Sequence, residues 1–134
     1  MLLALAAAIH PRHSIAQEYW EEQSAPRAGL CRVTSLALLR HLTNPLIMQS
    51  AVLTSKRAWE EFERWLAVPE VVFLNEPDGF HRLLGSVAAS QTLGQSAWTD
   101  AYLAAFCICG NYRLVSFDGG LARSKGVQLL HLRP

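Results

Sequence analysis

The chain has 134 residues, 51% of them apolar, and a formal net charge of +1. That length and apolar share suit one compact domain spanning 1–134. The charge balance excludes a uniformly basic body that would hold nucleic acid by its field alone, while a local basic groove stays open. The three cysteines are an odd number without zinc spacing, so they read as reduced, mostly buried thiols in a cytoplasmic protein.

The opening Leu2 to Ile9 is apolar throughout, and His10-Pro11 breaks it. A secretion signal needs a basic residue ahead of its apolar core; here Arg12 comes after it. The run is also far short of the about 20 apolar residues that span a bilayer. It therefore reads as a buried segment. Ser14 is placed to cap a helix from Ile15 to Gln23, with Ala16, Tyr19 and Trp20 on one face. Ser24 to Leu30 reads as a loop. Cys31 to Thr34 is short and β-rich, which predicts a strand. In the following helix Leu36, Leu39 and Leu42 recur, and Asn44-Pro45 stops it.

After a second polar loop, Thr54-Ser55 caps an amphipathic helix over Lys56 to Pro69. Trp59, Phe62, Trp65 and Leu66 line one side, with Glu60, Glu61 and Arg64 on the other. Trp20, Trp59 and Trp65 are expected in the core. Val71 to Leu74 has the continuous apolar character of a buried parallel strand. Asp78 is expected to cap a helix from Gly79 to about Ala89. Gln91 to Trp98 reads as a loop, with Trp98 more a core residue than a base-stacking one. Thr99 to Cys109 is an apolar helix carrying Asp100 in its first turn, closed by Gly110-Asn111. Arg113 to Phe117 is a strand that runs into Asp118, and Val127 to Leu132 is a last short strand. Strands alternating with helices imply a parallel sheet covered on both faces. Function in such sheets gathers at the carboxyl ends of the strands.

Two acids stand out there. Each alone has an ordinary structural role: Asp100 complements a helix dipole and Asp118 opens an Asp-Gly-Gly turn. Brought to one sheet edge, two carboxylates repel unless a hard cation sits between them. Oxygen-only ligands suit Mg²⁺ or Mn²⁺, ions that activate water and stabilise a phosphodiester under cleavage.

The segments CRVTSLALLRHLTNP and WTDAYLAAFCICGNYRLVSFDGGLAR, in this order and spacing, resemble the PIN domain family, and within it the VapC-type toxins of bacterial toxin–antitoxin pairs. The likeness runs from Leu2 to Leu132. It implies a three-layer α/β/α sandwich around a central, mostly parallel sheet. It implies a Mg²⁺-dependent endoribonuclease, a cognate antitoxin and a homodimer, with no membrane segment. By the same likeness Asp100 and Asp118 are the catalytic, metal-binding acids. Thr34, Ser35 and Ser116 line the site. Ser35 stands where the family usually has a second acid. The family's first acid falls a few residues ahead of Met1, which makes the opening run the stretch just after a catalytic strand. The expectation is a start at an internal Met of a longer frame, or a truncated gene, with the first strand cut.

Of the basic residues, Arg40, Arg82 and Arg113 read as surface groups, and Arg123, just past Asp118, is the choice for an RNA contact. His10 and His13 have H-x-x-H spacing, but no cluster completes a zinc site. A second reading is a catalytically impaired PIN-like module that binds an antitoxin or RNA without cutting it.

Overall fold

The computed structural model describes residues 1–22, 28–90, 92–95 and 97–133, with the side chains of 122 and 123 outside that set. The described chain mixes helices with short parallel strands. It divides into two compact units, Met1–Asn75 and Glu76–Arg133.

In the first unit, α1 (Leu2–Ala6) and α2 (His13–Glu22) are followed by β1 (Ala28–Leu30), α3 (Arg32–Leu42) and α4 (Pro45–Met48). A 3₁₀ turn (Gln49–Ala51), α5 (Ser55–Leu66) and β2 (Val71–Phe73) complete it. β1 and β2 pair in parallel, Ala28 opposite Val71 and Leu30 opposite Phe73. The strand predicted over Cys31 to Thr34 lies earlier: Ala28–Leu30 is the strand, inside the predicted loop, and Cys31 is the N-cap of α3. β-Branched Val33 and Thr34 suggested a strand, but the Thr34 hydroxyl serves the helix start. Its Oγ1 accepts the Cys31 N–H at 3.0 Å, one of the donors a helix N-terminus leaves orphaned. The buried stripe of α3 also shifts, to Ser35, Leu38 and Leu42, leaving Leu36 52% exposed.

Asn44 does more than end that helix. Its side chain accepts the Leu46 N–H at 2.9 Å and starts α4, with Pro45 in the first turn; the predicted polar loop is thus partly helical. Thr54 caps α5 as expected, accepting from the Arg57 N–H at 3.3 Å. Ala58 and Phe62 are the buried stripe of α5. Trp59 is not core but 47% exposed. It lies one residue, about 100° of helix, from Ala58, and its ring leans on Phe62 at 5.4 Å.

The core of this unit has two clusters. One is Ala7, Leu38, Leu42, Met48 and Ala58. The other is Leu30, Phe62 and Val71, flanked by Trp20 and Trp65, whose rings meet edge-to-face at 5.8 Å. Each fully buried large side chain here contributes about 1.5–3 kcal/mol of hydrophobic stabilisation.

The second unit runs α6 (Phe80–Ala89), α7 (Ala97–Gly110), β3 (Arg113–Ser116), a 3₁₀ turn (Gly119–Arg123) and β4 (Gln128–His131). β3 and β4 pair in parallel from Arg113 opposite Gln128 to Ser116 opposite His131. Asp78 does not cap α6. Gly79 is the N-cap, at φ 82, a left-handed conformation that glycine adopts without strain. Asp78 instead offers its carbonyl to the Cys109 thiol at 2.9 Å. The start of α7 reaches back to Ala97, so Trp98 is helical, and it is 53% exposed rather than buried. Asn111 ends α7 at φ 52, with the Tyr112 N–H donating to the Cys107 carbonyl at 2.8 Å. Phe80, Tyr102, Phe106 and Tyr112 form a chain of ring contacts between 4.8 and 6.1 Å. Ala101, Ala104 and Ala105, fully buried or nearly so, give α7 a smooth inner face.

The described strands pair as two two-stranded parallel sheets. Strands of three and four residues carry few ladder bonds, and helix packing holds most of the core. All three cysteines are free. Among the described residues no helix is long and apolar enough to cross a membrane.

Candidate active site

The site builds from two junctions in the second unit. Asp100 is in the first turn of α7 and exposed. A carboxylate there complements the positive end of the helix. Asp118 follows β3 directly and is also exposed. Its Oδ1 accepts the Gly120 N–H at 2.7 Å and so caps the 3₁₀ turn. Its own N–H donates to Ser116 Oγ at 3.0 Å. Asp118 is therefore held from both sides.

A third tie comes from β4. His131 Nε2 lies 3.2 Å from the Phe117 carbonyl, and Arg133 Nε donates to His131 Nδ1 at 3.3 Å. A ring that accepts at Nδ1 carries its proton on Nε2, so Nε2 is the donor to Phe117. The ring also covers Gly119: a Cβ at that position would stand 2.8 Å from His131 Cε1. Glycine here makes room for the histidine that braces the turn. No motif or spacing among the residues singles out His131. The bracing depends on the β3–β4 register, which the residues alone do not reveal.

The two acids act on one another. Burial first, and then the charge of Asp118, hold the Asp100 carboxyl above the usual carboxylate range. Removal from water and a like charge nearby both disfavour the ionised form. The donor set is oxygen only and fits a hard divalent cation, since Mg²⁺ keeps several waters and takes one or two carboxylates. The cap on Asp118 Oδ1 does not exhaust a carboxylate, which has about four acceptor sites. Among the described residues no group of three or more His, Cys, Asp or Glu is placed to hold a metal.

Thr34 and Ser35 lie in the first unit, in the opening turn of α3. Thr34 Oγ1 donates to the Cys31 carbonyl at 2.9 Å. Ser35 is 1% exposed and donates to the same carbonyl at 2.9 Å. The side chain of Arg123 lies outside the described residues, while its backbone closes the 3₁₀ turn after Asp118.

In the first unit His10 and His13 belong to the turn between α1 and α2 and its exit. His13 Nδ1 donates to the Ala4 carbonyl at 2.7 Å, and His10 Nδ1 accepts the Arg12 N–H at 3.1 Å. They are built into the turn, as the loop reading expects.

A comparison with family models finds no match. A comparison with characterised proteins does. The chain is 33% identical over 132 aligned positions to Ribonuclease VapC41 of Mycobacterium tuberculosis strain CDC 1551 / Oshkosh, covering 95% of this chain and 90% of the relative. The same figures hold for Ribonuclease VapC41 of strain ATCC 25618 / H37Rv. With that identity along nearly its whole length, the chain belongs to the VapC-type family of PIN-domain toxins.

Proposed function

We propose that this chain is a Mg²⁺-dependent endoribonuclease toxin, paired with a cognate antitoxin in a type II system. The family supplies the ribonuclease class, since both relatives carry that name. The observation that carries the finer reading is that the charge of Asp118, after burial, adds a repulsion that holds the Asp100 carboxyl up. A divalent ion, Mg²⁺ or Mn²⁺, held by these two carboxylates relieves that repulsion and, when bound, polarises a phosphodiester and activates water.

The chain's own residues then have distinct roles. Asp100 brings a carboxylate from the rigid start of a long helix. Asp118 brings the second from a turn tied by Ser116, Gly120 and His131. Ser116 lines the site by holding the backbone of Asp118. Arg123 is the proposed contact to an RNA phosphate, and Thr34 and Ser35 are site-lining by family likeness. The single three-layer sandwich over 1–134, the homodimer and the cytoplasmic location belong to this reading; three free thiols agree with a reducing compartment.

One observation favours a second reading. Two carboxylates hold a divalent ion weakly, and no third acidic, His or Cys ligand joins them among the described residues. On that reading the chain captures antitoxin or RNA without cutting. RNA cleavage with Mg²⁺, and with the ion chelated, separates the two. The enzyme reading predicts cleavage that chelation stops and that Asp100→Asn lowers at least a hundredfold, about 2.7 kcal/mol of barrier. Equal cleavage by wild type and Asp100→Asn removes Asp100 from the site. RNA binding without cleavage selects the second reading.

A further inference from the structure

We propose that the cavity beside the α1–α2 turn is a nucleobase-binding subsite for an RNA strand, an inference that rests on RNA being this chain's substrate. The cavity lies within the first unit and has a volume of about 350 Å³. That is at the small end of ligand sites. Leu3, Ala7, Ile47 and Met48 supply apolar wall, and among the described residues His10 and His41 supply its titratable edges. Apolar walls with a few placed polar groups are what a planar heterocycle requires.

The hydrogen bonds of the two rings define what they offer. His10 Nδ1 accepts the Arg12 N–H, so its Nε2 carries the proton and donates. His41 Nδ1 donates to the Ala37 carbonyl at 2.5 Å, so its Nε2 accepts. The two rings lining the cavity thus offer one donor and one acceptor. Every nucleobase carries acceptors and donors on its exposed edges, and single-stranded RNA presents those edges unpaired.

The surroundings favour a nucleotide over a peptide. His10 is held below the usual histidine range by burial first, then by neighbouring positive charge, the Arg12 guanidinium included. A phosphate linked to the bound base is attracted to that field. A peptide helix needs anchors repeating along a groove of several turns, which one small cavity does not provide.

The test follows the His10 and His41 Cε1–H resonances of the full chain by NMR. AMP, GMP, CMP, UMP and inorganic phosphate are titrated separately, without divalent metal. At least one nucleotide is expected to move both resonances saturably, and inorganic phosphate is not. His10→Ala and His41→Ala each weaken that nucleotide about tenfold, the 1.4 kcal/mol of one good hydrogen bond. His41→Gln, which keeps a polar end, replaces His41→Ala if the latter loses its native spectrum. The proposal is overturned if no nucleotide moves both rings, if phosphate alone has the same effect, or if the variants bind like wild type. It is also overturned if both resonances move with protein concentration alone, which marks a contact between copies. The readout needs neither metal nor cleavage. A chain that binds a nucleotide here but cuts no RNA keeps this site and loses the enzyme reading; one that cuts RNA but binds no nucleotide here does the reverse.

Discussion

Asp118 is asked to do two things, and two substitutions separate them. Its Oδ1 caps the 3₁₀ turn through the Gly120 N–H, and its charge is proposed to hold a cation. Asp118→Ala removes both. Asp118→Asn keeps an oxygen for the cap and removes the charge. Loss of an N-cap costs about 0.5–2 kcal/mol, whereas Asn caps about as well as Asp. An unfolding entropy of about 2.1 cal/mol/K per residue gives about 0.28 kcal/mol/K for 134 residues. Asp118→Ala is then expected to lower Tm by about 2–7 °C. Asp118→Asn matches or exceeds the wild type, because it also relieves the repulsion on Asp100. Mg²⁺ at ten times its Kd stabilises the wild type by about 1.4 kcal/mol, or about 5 °C, and neither variant gains this. Calorimetry or circular dichroism with and without Mg²⁺ reads all of it. Equal Tm losses for Asn and Ala would refute the cap. A full Mg²⁺ shift retained by Asn would refute the shared cation.

The raised Asp100 carboxyl sets a pH dependence. A carboxyl raised in the folded state adds stability while protonated and loses it as pH rises through the raised value. Asp118→Asn should therefore gain on the wild type at neutral pH and give that gain back through the carboxylate range; carbon NMR of Asp100 should show its titration moving down in the variant. Gly119→Ala drives a Cβ toward the His131 ring and is expected to cost about 1–3 kcal/mol, with part recovered when His131→Ala is added, as read by urea unfolding of the double-mutant cycle. Phe62→Ala, at 3% exposure, is expected to cost about 3–5 kcal/mol. Trp59→Ala, at the exposed edge of the same helix, is expected to stay below about 1 kcal/mol in the same assay.

Much of this was legible in the residues. The long apolar run of α7, the cap at Thr54 and the apolar strand before Asn75 each carry a strong local signal, and the structure has them. The two acids drew notice as candidates because a charge inside an apolar helix and a charge after a strand are both conspicuous; their role as a site is proposed. The first strand was not. Its Ala-Gly-Leu has no β-branched residue, while Val33 and Thr34 just after it do, and a hydroxyl cap turned those into helix. Trp59 and Trp98 misled because aromatic bulk predicts burial, whereas helical phase decides it. His131, Gly119 and Ser116 act through a register and a turn geometry that no spacing discloses.

The claim that Asp100 and Asp118 share one divalent ion is tested most directly by Mn²⁺ binding followed by electron paramagnetic resonance. One ion per chain is predicted for the wild type, with binding lost in both Asp100→Asn and Asp118→Asn. Binding that survives either substitution unchanged, or no binding by a folded wild type, would contradict it.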